Sequence, residues 1–114
     1  MLDKNQKLSL EVLAYLYLRM NLWDKAKRTY KALIAQAKGK GINPKVYIAL
    51  ASIALEENNG KEALKCLTNA TNNMTVSSKN AVIFLMKAKA LWLEDRKDEA
   101  KNAVYEYLYL VEKS

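Results

Sequence analysis

The chain has 114 residues, of which 51% are apolar, so it is long enough to bury one hydrophobic core as a single domain. One proline and three glycines favour a mostly helical protein, and no apolar run approaches the roughly 20 residues that span a bilayer. The net charge of +7 comes from lysines scattered over the whole chain without a block of like charges, which excludes a basic arm.

Six helices follow from the apolar periodicity and from the breaks between periodic segments. The first is predicted at about residues 8–20 and the second at about 23–38, with a short break between them. The glycine-containing segment 39–41 ends the second helix, and Pro44 opens the third in the first-turn position that proline favours.

The remaining helices are predicted at about residues 44–57, 61–72, 79–94 and 97–113. The turn at 58–60 separates the third from the fourth, and Ser77 or Ser78 is the expected N-cap of the fifth. Because only a few residues join the two helices of each pair, we expect three antiparallel hairpins.

A period of 37 residues occurs three times and is the strongest pattern in the chain. Two sets of alanines carry it: Ala14, Ala51 and Ala88 in the first helix of each pair, and Ala26, Ala63 and Ala100 in the second. A large side chain would hold two crossing helices apart, so these alanines are expected where the helices of a hairpin cross. A fixed period of this size predicts a solenoid of stacked hairpins.

Around these alanines the chain resembles the tetratricopeptide repeat (TPR). That repeat has a large residue, Leu, a small residue and Tyr on its first helix, then Ala, an aromatic and Ala on its second. The first unit matches with Leu10, Leu13, Ala14, Tyr17, Ala26, Tyr30 and Leu33, the second with Tyr47, Leu50, Ala51, Ala54, Ala63, Leu67 and Ala70, and the third with Phe84, Lys87, Ala88, Leu91, Ala100, Val104 and Tyr107. Two departures are Lys87 in place of a leucine and a unit longer than the usual 34 residues.

The resemblance implies an all-α fold: an α-solenoid of three antiparallel helix-turn-helix repeats with six helices and no capping helix. It would form a single TPR domain over residues 1–114, with units at about 7–43, 44–80 and 81–114. The size and the bare three-repeat layout are also similar to the small TPR chaperones of bacterial type III secretion systems. That narrower resemblance implies a chaperone that holds a needle or early export subunit.

In a TPR stack the first helices line a concave groove, and the resemblance assigns the partner-binding positions by register. The apolar ones are Leu8, Tyr15, Leu18, Ile48, Leu55, Val82, Leu85 and Trp92. Such a groove suits an apolar or amphipathic helical segment of another protein, with Tyr15 and Trp92 as anchors. The alternative is that several of these residues belong to the core. TPR domains that bind the C-terminal carboxylate of a partner have Lys and Asn at two fixed groove positions. Glu11 and Tyr15 occupy those positions here, so the carboxylate-binding pair is absent.

The predicted last helix is apolar on almost every side, although solenoids normally end on a polar capping helix. Tyr105 and Tyr109 are its expected exposed aromatics. A partner, a second copy that forms a homodimer, or the rest of a longer chain would cover this helix. The alternative is that the tyrosine hydroxyls face water.

No enzyme is predicted, because the chain has no histidine and one cysteine, Cys66, which gives neither a thiol dyad nor a zinc site. We therefore expect no cofactor, no metal and no small-molecule substrate.

The N-terminus lacks the apolar stretch of a signal peptide, which favours the cytoplasm. A self-associating scaffold and a nucleic-acid binder with convex lysines remain alternatives, although scattered lysines favour a solvated surface over nucleic acid.

Overall fold

The computed structural model describes residues 3–38, 41–72, 74 and 76–112. These residues form six α-helices and no strand, which confirms the predicted all-α class. The helices are α1 Lys4–Arg19, α2 Trp23–Ala37, α3 Pro44–Glu56, α4 Gly60–Thr71, α5 Val82–Leu93 and α6 Lys97–Glu112. A 3-10 turn, Ser78–Asn80, precedes α5. Two predicted helix ends, at residues 39–41 and at residue 113, fall wholly or partly outside the described residues.

Two helices begin elsewhere than predicted, because hydrogen bonds rather than apolar residues define their first turns. In α1 the Gln6 N–H donates to Asp3 Oδ1 (2.8 Å) and the Asp3 N–H donates to Gln6 Oε1 (2.9 Å), so the helix starts before its first leucine. Before α5 the Ser77 N–H donates to Asn80 Oδ1 (2.7 Å), and this bond accompanies the 3-10 turn. The predicted fifth helix is thus a short 3-10 turn followed by a regular α-helix from Val82.

The repeat extends to the backbone of the turn inside each hairpin. Asn21, Asn58 and Asp95 lie 37 residues apart, and their φ angles of 60°, 56° and 59° are all left-handed. Asn and Asp adopt this conformation more readily than other non-glycine residues, because their short polar side chains can hydrogen-bond locally.

Each of these turns carries the same pair of hydrogen bonds. The residue after the left-handed position donates to a carbonyl five residues earlier: Leu22 to Tyr17 (2.9 Å), Asn59 to Ala54 (2.8 Å) and Arg96 to Leu91 (2.9 Å). The left-handed residue donates to a carbonyl three residues earlier, as Asn58 does to Leu55 at 3.0 Å. This is the Schellman motif, so all three hairpins turn in the same way.

The chain divides into two compact units, Met1–Val46 and Tyr47–Ser114. In the first, α1 and α2 pack against each other. Ala14 and Ala26, the two alanines predicted to mark the crossing, are both completely buried. Tyr30 and Leu33 of α2 are buried as well and complete the apolar side of that helix.

Two apolar clusters hold the second unit together. In the first cluster, Ala54 and Leu55 of α3 pack with Ala63 of α4 and Ala90 of α5. Ala88 and Leu91 of α5 pack with Ala100 and Ala103 of α6 in the second cluster, and Leu64 of α4 touches both clusters. Small residues therefore do lie at the helix crossings.

Gly60 shows how closely α4 approaches α5. A Cβ atom at this position would lie 2.6 Å from the carbonyl oxygen of Ala90, nearer than carbon and oxygen can approach. Glycine at the first residue of α4 therefore permits the contact between the start of α4 and the C-terminal end of α5.

Candidate partner-binding surface

Helix α5 is apolar on two opposite sides, only one of which is covered. Its buried side includes Ile83, Ala88, Ala90 and Leu91. The other side, called here the α5 outer face, consists of Val82, Leu85, Lys89, Trp92 and Leu93, all exposed. At 3.6 residues per turn these five positions fall within an arc of about 100°. They form a continuous apolar stripe with one lysine.

Trp92 is the largest side chain of the α5 outer face and is 59% exposed. Lys97, at the start of α6, places its Nζ atom 5.0 Å from the centre of the indole ring, within range of a cation–π interaction. The same Nζ lies 3.9 Å from Asp95 Oδ1. The ammonium of Lys97 therefore lies over the indole ring, while more than half of the Trp92 surface is exposed.

Helix α1 in the first unit also exposes apolar side chains. The sequence predicted Leu8 and Tyr15 on its partner-binding side, and both are exposed. Val12, Leu16 and Met20 are exposed as well, and none of them is among the predicted groove positions. Leu16 occupies the repeat position of Ile53 and Ala90, which are both buried, so the repeat pattern would have placed it in the core.

Tyr15 lines a small cavity of about 140 Å³ in the first unit. The other lining residues are Glu11, Tyr30, Asn43, Lys45 and Val46. Burial raises the pKa of Tyr30, and the neighbouring Glu11 and Tyr15 raise that pKa further. Tyr15 therefore has one side against this cavity and more than half of its surface in solvent.

The other predicted groove residues differ widely in exposure. Val82 and Leu85 belong to the α5 outer face, and Leu18 and Ile48 are half-buried. Leu55 is only 7% exposed, because it packs in the cluster with Ala54, Ala63 and Ala90. Leu55 is therefore a core residue in the second unit and is left out of the surfaces proposed below.

Tyr105 and Tyr109, the predicted exposed aromatics of the last helix, both lie open on α6. Leu108 and Val111 of the same helix are exposed beside them. The buried side of α6 includes Ala100 and Ala103, which pack on α5.

The described residues show neither a metal-binding group nor a membrane span. No three of their Cys, Asp and Glu side chains come close enough together to hold a metal ion. No described helix is long and apolar enough to cross a membrane.

Cys66 is buried, with its Sγ atom 3.8 Å from Glu62 Oε1. The Arg96 guanidinium bonds Glu99 at 2.5 and 2.8 Å and lowers the pKa of that exposed carboxyl group.

Helical pairs closed by one recurring turn, with apolar helix faces left in solvent, define a helical-repeat protein of the kind that binds other chains. The family model for the ARM repeat of tetratricopeptide repeat protein 21 matches residues 2–109. The chain belongs to this family, which confirms the resemblance to TPR proteins and the α-solenoid class. Comparisons with curated proteins and with solved structures gave no match. The family match gives no support to the narrower resemblance to type III secretion chaperones.

Proposed function

We propose that this chain is a non-enzymatic adaptor or chaperone that holds an apolar or amphipathic helical segment of a partner protein. The α5 outer face is the observation that carries the proposal. A helix that is apolar all round is normally buried on every side, but α5 is covered on one side only. A partner segment laid along Val82, Leu85 and Trp92 would complete its burial.

Burial of the exposed apolar side chains on this surface would contribute to the free energy of binding. Burying an apolar side chain such as Leu85 or Trp92 is worth about 1.5–3 kcal/mol before the costs of ordering the partner are subtracted. Tryptophan is also the residue type most often found among the few that dominate an interface. Exposed Tyr15 and Leu8 on α1 offer a comparable surface in the first unit.

The test is co-purification from the native host, with light scattering for stoichiometry and mass spectrometry to identify the partner. We expect a stoichiometric partner with the unaltered chain, and its loss with L85A and W92A. Y105A is the matched control, because Tyr105 is as exposed as Trp92, at 59%, but lies on α6. Undiminished capture by L85A and W92A would contradict the proposal.

The narrower form of the proposal is a cytoplasmic type III secretion chaperone for a needle or early export subunit. Its support is the size of the chain and the three-repeat layout. The same co-purification tests it, since that reading requires the captured partner to be a small secreted subunit. Any other partner would leave the adaptor proposal intact and remove this form of it.

A second candidate is a self-associating scaffold that forms a homodimer through α6. The exposed side of that helix, with Tyr105, Leu108, Tyr109 and Val111, favours it. Light scattering of the purified chain would then give twice the mass of one chain, and Y105A together with Y109A would restore the monomer. A monomer at high concentration would exclude this candidate.

A further inference from the structure

An open cleft of about 390 Å³ lies between α5 and α6 at the end of the second unit. Its apolar part consists of Ala88 and Trp92 of α5 and Ala100 and Val104 of α6. Exposed charged side chains border it: Lys89, Lys97 and Lys101, with Asp98 as the one acid. We call this site the end cleft.

The repeat shows what kind of ligand the end cleft fits. The positions 37 residues earlier are Ala51, Leu55, Ala63 and Leu67, and all four are buried. There Leu55 and Ala63 belong to one buried apolar cluster with Ala90 of α5. In that equivalent place the bound element is therefore one α-helix.

The difference in exposure between equivalent residues shows that the end cleft is unfilled. Leu55 is 7% exposed because α5 covers it, whereas Trp92, its equivalent, is 59% exposed. The third repeat therefore has the same kind of apolar surface that holds α5 in the second repeat. None of the described helices covers this surface in the third repeat.

The border of the end cleft differs in charge from that of its filled equivalent. Lys89, Lys97 and Lys101 stand where the preceding repeat has Ser52, Gly60 and Leu64. Three neutral positions are therefore cationic at the end cleft, whereas Asp98 stands where the preceding repeat has Lys61. The four border positions together carry a net charge of +2, against +1 in the preceding repeat. A helix with an apolar face and acidic residues along its edges would satisfy both features.

We propose that the end cleft binds an acidic amphipathic helix of a partner protein. Head-to-tail stacking of a second copy is a poorer fit, because α1 would then enter the cleft. Within α1 there are three cations, Lys4, Lys7 and Arg19, and one acid, Glu11. Its charge would repel the three lysines of the border.

Lys97 also determines how the bound helix approaches. Its equivalent, Gly60, lets α4 come within contact of the Ala90 backbone, and a lysine at this position forbids so close an approach. The ammonium group of Lys97 instead lies over Trp92, at 5.0 Å, and is exposed. The ammonium lies beside the apolar surface and 3.9 Å from Asp95 Oδ1, so an acidic side chain of the partner would share it with Asp95.

This inference does not depend on the function proposed above. The end cleft shares Trp92 and Lys89 with the α5 outer face, but Lys97, Lys101 and Val104 belong to α6 alone. Variants of Lys97 and Lys101 therefore test the end cleft, and variants of Leu85 test the α5 outer face.

The probes are three synthetic peptides with the same apolar helical face, edged by glutamate, by lysine or by glutamine. Binding is followed by the fluorescence of Trp92 in a W23F background, since the chain has two tryptophans. We expect the glutamate-edged peptide to bind at least about tenfold more tightly than the lysine-edged one at low salt. Added salt should reduce that preference.

Charge reversal supplies the decisive comparison. The double variant K97E and K101E should reverse the preference, so that the lysine-edged peptide binds more tightly. The control K61E and K65E makes the same change in net charge at two exposed positions of α4. It should keep the original preference, and L85A should keep it too. Thermal unfolding followed by circular dichroism verifies that each variant is folded.

Three results would overturn the proposal. One is equal affinity for the three peptides, and another is an equal effect of the two double variants. The third is a concentration-dependent dimer that excludes the glutamate-edged peptide, because the end cleft would then belong to a second copy.

Discussion

Asn21, Asn58 and Asp95 adopt the same left-handed conformation in the three hairpin turns. For most side chains this conformation costs roughly 1–2 kcal/mol, because Cβ comes too close to the following carbonyl oxygen. Asn and Asp are among the few non-glycine types that tolerate it. At the residue scale, the turn inside each hairpin therefore depends on one side chain that accepts an unusual φ angle.

We expect N58A to lower the free energy of unfolding by about 1 kcal/mol, because alanine adopts the left-handed conformation at greater cost than asparagine. N58G should stay within about 0.5 kcal/mol of the unaltered chain, because glycine has no Cβ to strain. Urea unfolding followed by circular dichroism measures both values. Equal stability of the two variants would show that the turn does not constrain this residue.

At the scale of the element, the packing of α4 on α5 depends on Gly60. A helix normally gains stability when glycine is replaced by alanine, by about 0.5–1 kcal/mol. Here the new Cβ would lie 2.6 Å from the Ala90 carbonyl oxygen, so the two helices would have to move apart. Close packing between elements therefore outweighs the preference of one helix for alanine.

G60A should accordingly destabilise the chain by about 1–3 kcal/mol, the usual cost of forcing extra atoms into a packed contact. K97A at the equivalent position of the third repeat is the matched control and should be close to neutral, since Lys97 is exposed. Chemical denaturation of both variants gives the comparison. A stabilised G60A would mean that α4 and α5 separate at little cost.

The element scale also shows where apolar periodicity stops being informative. Apolar periodicity located all six helices, because each helix buries a stripe of apolar residues. It missed the first turn of α1, where Asp3 and Gln6 exchange hydrogen bonds without contributing apolar side chains. It also merged the 3-10 turn at Ser78–Asn80 with α5, because the Ser77–Asn80 hydrogen bond leaves no apolar signature.

At the scale of the whole molecule, the net charge of +7 bears on stability. Like charges repel more strongly in the compact state than in the unfolded chain, and salt screens them over roughly 8 Å at physiological ionic strength. Charge is therefore expected to oppose folding at low salt.

We expect the midpoint of thermal unfolding to rise as sodium chloride is increased from about 0.01 to about 0.15 M. The double variant K61E and K65E, which has a smaller net charge, should show a smaller rise. Circular dichroism against temperature checks both. The same salt response in the two proteins would indicate that repulsion between these lysines and the rest of the chain is negligible.

The sequence by itself determined the repeat, the six helices and the breaks between them. These features depend on local periodicity and on backbone preferences, which are properties of short segments. The tertiary structure decided which apolar residues are core and which are surface. Leu55 and Trp92 occupy the same repeat position, but α5 covers only Leu55. Burial depends on the neighbouring helix rather than on the residue, so the repeat pattern could not distinguish them.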